Sequence, residues 1–347
     1  MDNKVVTKEN IKSAEESKQR IDFISWLQFI GVLAVIFGHS MNSIDVADWL
    51  KDVKAWIYTF HMPLFFFVSA YLFTVKGGYD RGYKKVLVNR FKRLLIPYFI
   101  WNIVFFLPKV VMAPYVNNQI SLTLEYFLKI NLSPRENILG HTWFLFALFE
   151  MFLIAIFFDK LRRNKYTWLP VGMFLTVIYC FGITDKFLAV GDLMKNAVFF
   201  WGGFLLGSIE LDKVLCFHEN RGLFYTFSLN ILVLSVVWYM KRDMLVNTLM
   251  LGISIIAFLI LLQQKLNIKS TLIDFVSINS FGIYILHWPA MMAVRFLVKN
   301  KLHLEPHLCM LAMLIGGILI PILIVLIIRK IKNKYINILK KYLLGFS

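Results

Sequence analysis

Along this chain, apolar runs alternate with short polar segments that carry most of the charge. A helix needs about 20 apolar residues to cross the hydrocarbon core of a bilayer. Such runs fall near 23–41, 56–75, 94–113, 142–159, 166–183, 196–210, 223–240, 244–263, 280–298 and 308–328. The pattern predicts an all-α integral membrane protein of about ten transmembrane helices. The sixth run is short and carries Trp201-Gly202-Gly203, and the polar stretches at 184–195 and 264–279 are where a boundary is hardest to draw. The first run follows a charged segment and lacks a small-x-small cleavage site, so it is expected to stay in the membrane. No internal repeat or low-complexity tract is visible.

Charge placement sets the expected orientation. With the N-terminus inside, 26 of the 38 Lys and Arg fall on inner segments, 11 on the outer side, and Arg295 lies within the ninth run. The positive-inside rule then makes both termini cytoplasmic. The corresponding division is a charged tail over 1–20, a transmembrane domain over 21–329 and a basic tail over 330–347.

Composition agrees with this pattern. Of 347 residues 59% are hydrophobic, 33 are Phe, and mean hydropathy is +0.65. A soluble fold is about 45–50% apolar, and the spans leave no room for a second globular domain. The net charge of +17 belongs to the cytoplasmic face, where anionic lipid and anionic cofactors are met. It requires no nucleic-acid partner. Cys180, Cys216 and Cys309 form neither a disulfide framework nor a metal-binding spacing and read as packing residues; no metal is expected.

Ionisable residues inside spans are costly and therefore point to function. His39 ends the first run, His61 opens the second and His141 opens the fourth, all at the outer level. Glu150 sits nine residues deeper on the helix of His141, and His287 lies midway along the ninth run. Any one of these could be a helix-end residue bonded to a carbonyl; their clustering is the signal. Imidazole titrates near neutral pH and can take a proton from a hydroxyl. An alcohol attacking a thioester needs such a base, together with donors for the developing oxyanion. Glu150 could orient an imidazole or stay protonated. On the inner side, Arg90-x-x-Arg93 places two guanidinium groups on one face near the N-terminus of the third run, a phosphate-binding arrangement that also suits a plain membrane anchor. Trp143, Trp56, Tyr71 and Trp288 read as interface aromatics or as lining for a substrate path.

Four blocks resemble the acyltransferase-3 family of membrane O-acyltransferases. The first is Arg20-Ile21-Asp22 followed by Gly31 through His39-Ser40. The second is Phe60-His61-Met62-Pro63-Leu64-Phe65-Phe66-Phe67-Val68-Ser69. The third is Arg90-x-x-Arg93 with Pro97-Tyr98, and the fourth pairs His141-Thr142-Trp143-Phe144-Leu145 with Ser280 through Tyr284 and His287. The resemblance implies ten spans, acetyl-CoA or another acyl-CoA as cytoplasmic donor, and a carbohydrate hydroxyl as outer acceptor. It implies His39 as base and Arg90 and Arg93 at the CoA phosphates. Two departures stand out. Gln28 occupies a position eleven residues before the His where many members carry Arg or Lys, and Ala70 replaces a common Gly. Gln28 supplies no charge, which leaves that work to Arg20, Arg93 or Arg295, or to a different donor geometry.

The combined expectation is an O-acetyltransferase of the cell membrane acting on a surface polysaccharide or lipid-linked glycan. In it His39 and Glu150 are catalytic, Arg90 and Arg93 bind the donor, and His61, His141, Trp143 and His287 bind substrate. Direct transfer and an acyl-histidine intermediate both remain open. The competing expectation is a proton-coupled transporter or flippase using the same His and Glu residues, for which the Arg90-x-x-Arg93 pair would have no use.

Overall fold

A computed structural model describes residues 8–80, 82–111, 123–209, 221–331, 333, 337, 340 and 343–345. Regular structure among them is entirely helical. The elements are α1 (Lys8–Ser40), α2 (Asp48–Ile57), α3 (His61–Val75), α4 (Tyr83–Arg90), α5 (Ile96–Val111), α6 (Leu124–Leu132), α7 (Trp143–Arg162), α8 (Trp168–Cys180), α9 (Val190–Ser208), α10 (Arg221–Met240), α11 (Leu245–Leu266), α12 (Thr271–Ile278), α13 (Ser280–Arg295) and α14 (Pro306–Lys330). A π turn at Phe91–Leu95 joins α4 to α5, and another at Phe296–Lys301 extends α13.

Seven stretches among the described residues are long and apolar enough to cross a bilayer: 22–40, 48–75, 83–110, 222–240, 245–266, 280–301 and 306–330. The chain is an all-α, multi-pass membrane protein. The other three expected spans correspond to α7, α8 and α9. At about 1.5 Å per residue, the 13 residues of α8 reach roughly 20 Å, short of the ~30 Å hydrocarbon core.

The two doubtful polar stretches are partly helical. The sixth helix begins at Val190 rather than near 196, because Asp192, buried in its first turn, pairs with Arg135. The stretch 264–279 contains the tail of α11 and the whole of α12, which Ser270 caps by accepting from the Leu272 N–H at 3.2 Å.

Helix α1 is the hub, packing on α3, α11, α12, α13 and α14. The most extensive contact in the fold is between α3 and α9, and it depends on absent side chains. A Cβ on Gly203 would lie 2.2 Å from the Phe67 carbonyl oxygen, and one on Gly207 would lie 2.8 Å from Thr74 Cβ. Small residues that let backbones approach are the usual adhesive between membrane helices. Around this seam, Phe66, Phe73, Phe152, Phe200, Trp201 and Phe204 fill the core. Their rings meet largely edge-on, as at Phe73–Phe152 (5.3 Å, 67°), the geometry aromatic quadrupoles favour. Apolar side chains that remain exposed cluster on outward faces such as Leu229, Leu232 and Val236 of α10, as expected of a surface that meets lipid rather than water. At the far end of the chain, Leu344 is buried close to Gly282 and Val325, and Trp101 Nε1 donates to the Leu343 carbonyl at 3.1 Å.

Candidate functional site

Three helix ends and the middle of a fourth helix bring the predicted histidines together. The last turn of α1 ends at His39, whose carbonyl accepts from the Asn42 N–H (3.0 Å), while Ser40 Oγ donates back to Phe37 O (2.7 Å) and Ser43 turns the chain at φ 60°. The single expected span over 56–75 is instead two helices broken at Tyr58–Phe60, so His61 becomes the first residue of α3. His141 lies in a short 3-10 turn, Gly140–Thr142, just ahead of α7, and His287 lies inside α13, two residues before Pro289.

The rings form a chain of contacts. His39 and His287 have centroids 5.3 Å apart, and His141 and His287 5.1 Å apart. Tyr58 bridges the remaining member, lying 6.5 Å from His39 and 4.6 Å from His61. Gly38 makes room for this, since a Cβ there would meet the Tyr58 ring at 2.5 Å. His287, expected midway along its span, lies against His39 and His141. Trp288 stands over the group, 5.1 Å from His39 and 6.2 Å from His141.

Hydrogen bonds hold the rings at their edges. His287 Nδ1 faces the Tyr284 carbonyl at 2.5 Å, His61 Nδ1 faces the Ile57 carbonyl at 3.1 Å, and His39 Nδ1 meets Asn42 Nδ2 at 2.9 Å. Asn42 Oδ1 in turn accepts from the Lys54 ammonium at 2.5 Å. The Tyr284 hydroxyl donates to the His141 carbonyl. Within this group, among the described residues, His287 Nε2 and both ring nitrogens of His141 are buried without a hydrogen bond. A buried polar atom left unpaired costs on the order of 1–3 kcal/mol, so this density of them marks a place built to receive polar groups.

The other predicted residues sit elsewhere. Glu150 is nine residues along the chain from His141, which is about 13 Å of helical rise. Its Oε2 is buried without a hydrogen-bond partner, and it meets no histidine among the described contacts. The structure therefore does not bring Glu150 to an imidazole. Trp143 is buried under the Arg135 guanidinium, 4.1 Å from its ring, and Arg135 is held by Asp192.

Arg90 and Arg93 correct one expectation. They do not stand at a helix N-terminus, because helix continues back to Tyr83 and the free N–H groups lie there. What holds Arg90 is aromatic: its guanidinium lies 4.0 Å over Phe152 and 5.5 Å from the Phe73 ring, a cation–π arrangement. Arg93 is exposed on the π turn. Below them, Gly82, Tyr83, Lys84, Lys85, Val88 and Asn89 line an open groove of about 530 Å³. Tyr83 reaches the Leu153 carbonyl, ten residues along α7 from Trp143, so this groove meets α7 about midway along its 20 residues, roughly 15 Å of helical rise from the end that carries His141. Gln28 accepts from Ser277 Oγ at 2.6 Å. Among the alternatives for the missing charge, Arg295 ends α13, and the Arg20 side chain lies outside the described residues.

Sequence reasoning missed Tyr58 and Asn42 as parts of the site, and it drew in Tyr284 only through the family-like block before His287. Asn42, in the turn after α1, stands three residues from His39. That signal is common and specific to nothing by itself.

A family model described as an acyltransferase domain matches residues 21–326. The glucans biosynthesis protein C of Escherichia coli strain SMS-3-5 is 24% identical over 310 residues, covering 76% of this chain and 79% of its own. The protein of the same description from Escherichia coli O139:H28 is 23% identical over the same shares. No solved structure matches.

Proposed function

This chain belongs to the acyltransferase-3 family, and from that premise we propose that it transfers an acyl group, acetyl in the first instance, from a cytoplasmic acyl-CoA to a hydroxyl of a carbohydrate. The acceptor is a cell-surface polysaccharide or a lipid-linked glycan met on the outer side of the cell membrane. The observation that carries the reading is the convergence of His39, His61, His141 and His287 on one buried group, with unpartnered ring nitrogens. Acyl transfer needs a lone pair to take the hydroxyl proton and donors for the oxyanion, and a histidine group can supply both. The named relatives, glucan-biosynthesis proteins by their description, support a carbohydrate acceptor.

Away from the histidines, Arg90 is the residue proposed to hold the phosphates of the donor, with Arg93, Lys84 and Lys85 adding positive charge. Stacking on Phe152 fixes the plane of the Arg90 guanidinium and leaves its N–H edges free to fork onto phosphate oxygens. The pantetheine arm would then run along α7 toward the histidines. In the reaction the hydroxyl oxygen bonds to the thioester carbon, the carbon–sulfur bond breaks, and the hydroxyl proton ends on the CoA sulfur.

The test is acetyl-CoA consumption by the purified full-length protein in lipid vesicles, with a panel of surface glycans. Ester formation matched one for one by free CoA is the expected result. A folded preparation that neither binds nor consumes any acyl-CoA would remove the donor from the reading and make the transporter expectation the next to test.

A further inference from the structure

Within the proposed transfer, which itself rests on the reading above, the hydrogen bonds at His39 and His287 assign the two rings different duties. An imidazole bonded to a backbone carbonyl through Nδ1 must carry its proton there, since the carbonyl only accepts. His287 Nδ1 faces Tyr284 O at 2.5 Å, so Nε2 is its bare nitrogen, fully buried and without a partner. His39 is the reverse case. The Lys54 ammonium only donates, so the Asn42 oxygen must face it and the Asn42 amide N–H₂ must face His39. Against that donor, His39 Nδ1 can only accept, and its proton sits on Nε2.

A neutral ring protonated at Nε2 can donate a hydrogen bond there but cannot take a proton at that atom. We infer that His287, through Nε2, is the base that takes the acceptor hydroxyl proton, and that His39, through Nε2–H, donates to the thioester carbonyl oxygen where negative charge develops. His287 then returns the proton to the leaving CoA sulfur, so both rings end as they began and no other reactant is needed. Asn42 and Lys54 are positioning residues that set the His39 tautomer. The resemblance gave the base to His39; the bonding pattern moves that duty across the 5.3 Å gap to its neighbour. His61 shares the His287 tautomer through Ile57 O, but it faces Tyr58 and lies outside the His39–His287 pair.

The assignment has a readout that does not depend on turnover. In full-length protein labelled with ¹⁵N-histidine and held in lipid, NMR distinguishes protonated from bare ring nitrogens. Signals are assigned by their loss in His287→Gln and His39→Gln. The expected spectrum has His287 protonated at Nδ1 and bare at Nε2, and His39 protonated at Nε2. In wild-type acyl transfer, His287→Gln should lower kcat by about 10²-fold or more, the range for losing a general base. Glutamine can still donate from near the Nε2 position, so His39→Gln should stay within about tenfold of wild type, whereas His39→Ala, which removes the donor, should lose about 10²–10³-fold. A His39 found protonated at Nδ1, or a His39→Gln more damaging than His287→Gln, would overturn the assignment. Wild-type protein with the expected tautomers but no acyl transfer would instead sink the proposed function.

Discussion

Adjacent glycines in α9 offer a sharp test of how closely the helices at the centre of this fold are placed. A Cβ on Gly203 would sit 2.2 Å from the Phe67 carbonyl oxygen and 2.9 Å from Ala70 Cβ. Carbon–oxygen contacts between helices come no nearer than about 3.3 Å, so Gly203→Ala must push α3 and α9 apart by roughly 1 Å. A backbone carbonyl cannot swing aside as a side chain would. Overpacking of this kind costs about 1–3 kcal/mol, offset by up to about 1 kcal/mol from the better helix propensity of Ala. One residue earlier, a Cβ on Gly202 would meet Phe67 Cδ2 at 3.7 Å, ordinary contact, so Gly202→Ala keeps the propensity gain alone. Thermal unfolding of both variants in one detergent should place Gly202→Ala at or above wild type and Gly203→Ala below it. His61 opens the displaced helix, and a misplacement near 1 Å can cost up to about 10²-fold in rate, so Gly203→Ala should also lose turnover. If the two variants unfold at the same temperature, the close α3–α9 approach is not what requires glycine at 203.

Other outcomes follow from the same geometry. Arg90→Ala should raise the KM for acetyl-CoA by about tenfold, equivalent to one charged hydrogen bond, with kcat little changed. Arg90→Lys should recover little of this, because an ammonium cannot present a stacked fork; steady-state kinetics would refute the donor role if KM stayed put. Arg135→Ala leaves Asp192, only 6% exposed on its side chain, without its partner. It should lower stability by about 1–3 kcal/mol, and Asp192→Asn in the same chain should restore part of that in a double-mutant cycle of unfolding midpoints. Trp101→Phe removes the donor to Leu343 O, worth about 0.5–1.5 kcal/mol. It should speed limited proteolysis of the C-terminal segment; unchanged cleavage would mean that this bond does not hold the segment.

What the sequence disclosed depended on the range of the signal. Apolar runs are local, and each fell on a helix, because a segment that must satisfy its own backbone in lipid has little choice. The boundary at 190 was hidden because Asp192 looks like a loop residue until Arg135, 57 positions away, neutralises it. Likewise the break at Tyr58–Phe60 separates two apolar stretches that read as one. His39, His61 and His141 could be grouped from topology alone, as each sits at a helix end. His287 could not, since its depth along α13 depends on how that helix is tilted against α1. The partners that decide tautomers, Asn42 and the carbonyls of Tyr284 and Ile57, carry no sequence signature. Glu150 was drawn in as an ionisable residue inside a span on the helix of His141, and nine residues of helix keep it from that imidazole.

The π turn at Phe91–Leu95 gives α4 and α5 a relationship that can be expressed as a surplus of length. A turn closed from i to i+5 holds one residue more than an α turn. The face carrying Arg90 and the face of α5 that buries Tyr98 and Asn102 are thus offset by one residue's arc, about 100°. Removing a single residue such as Lys92 would let the segment relax into plain α-helix with its apolar anchors unmoved. Tightening the same turn to α-helix without losing a residue would instead rotate α4 by that arc and carry Arg90 off the Phe152 ring. The azimuth of the proposed phosphate-binding arginine is therefore set by the wide turn: a change of turn type at constant length would redirect it without altering any side chain that touches it.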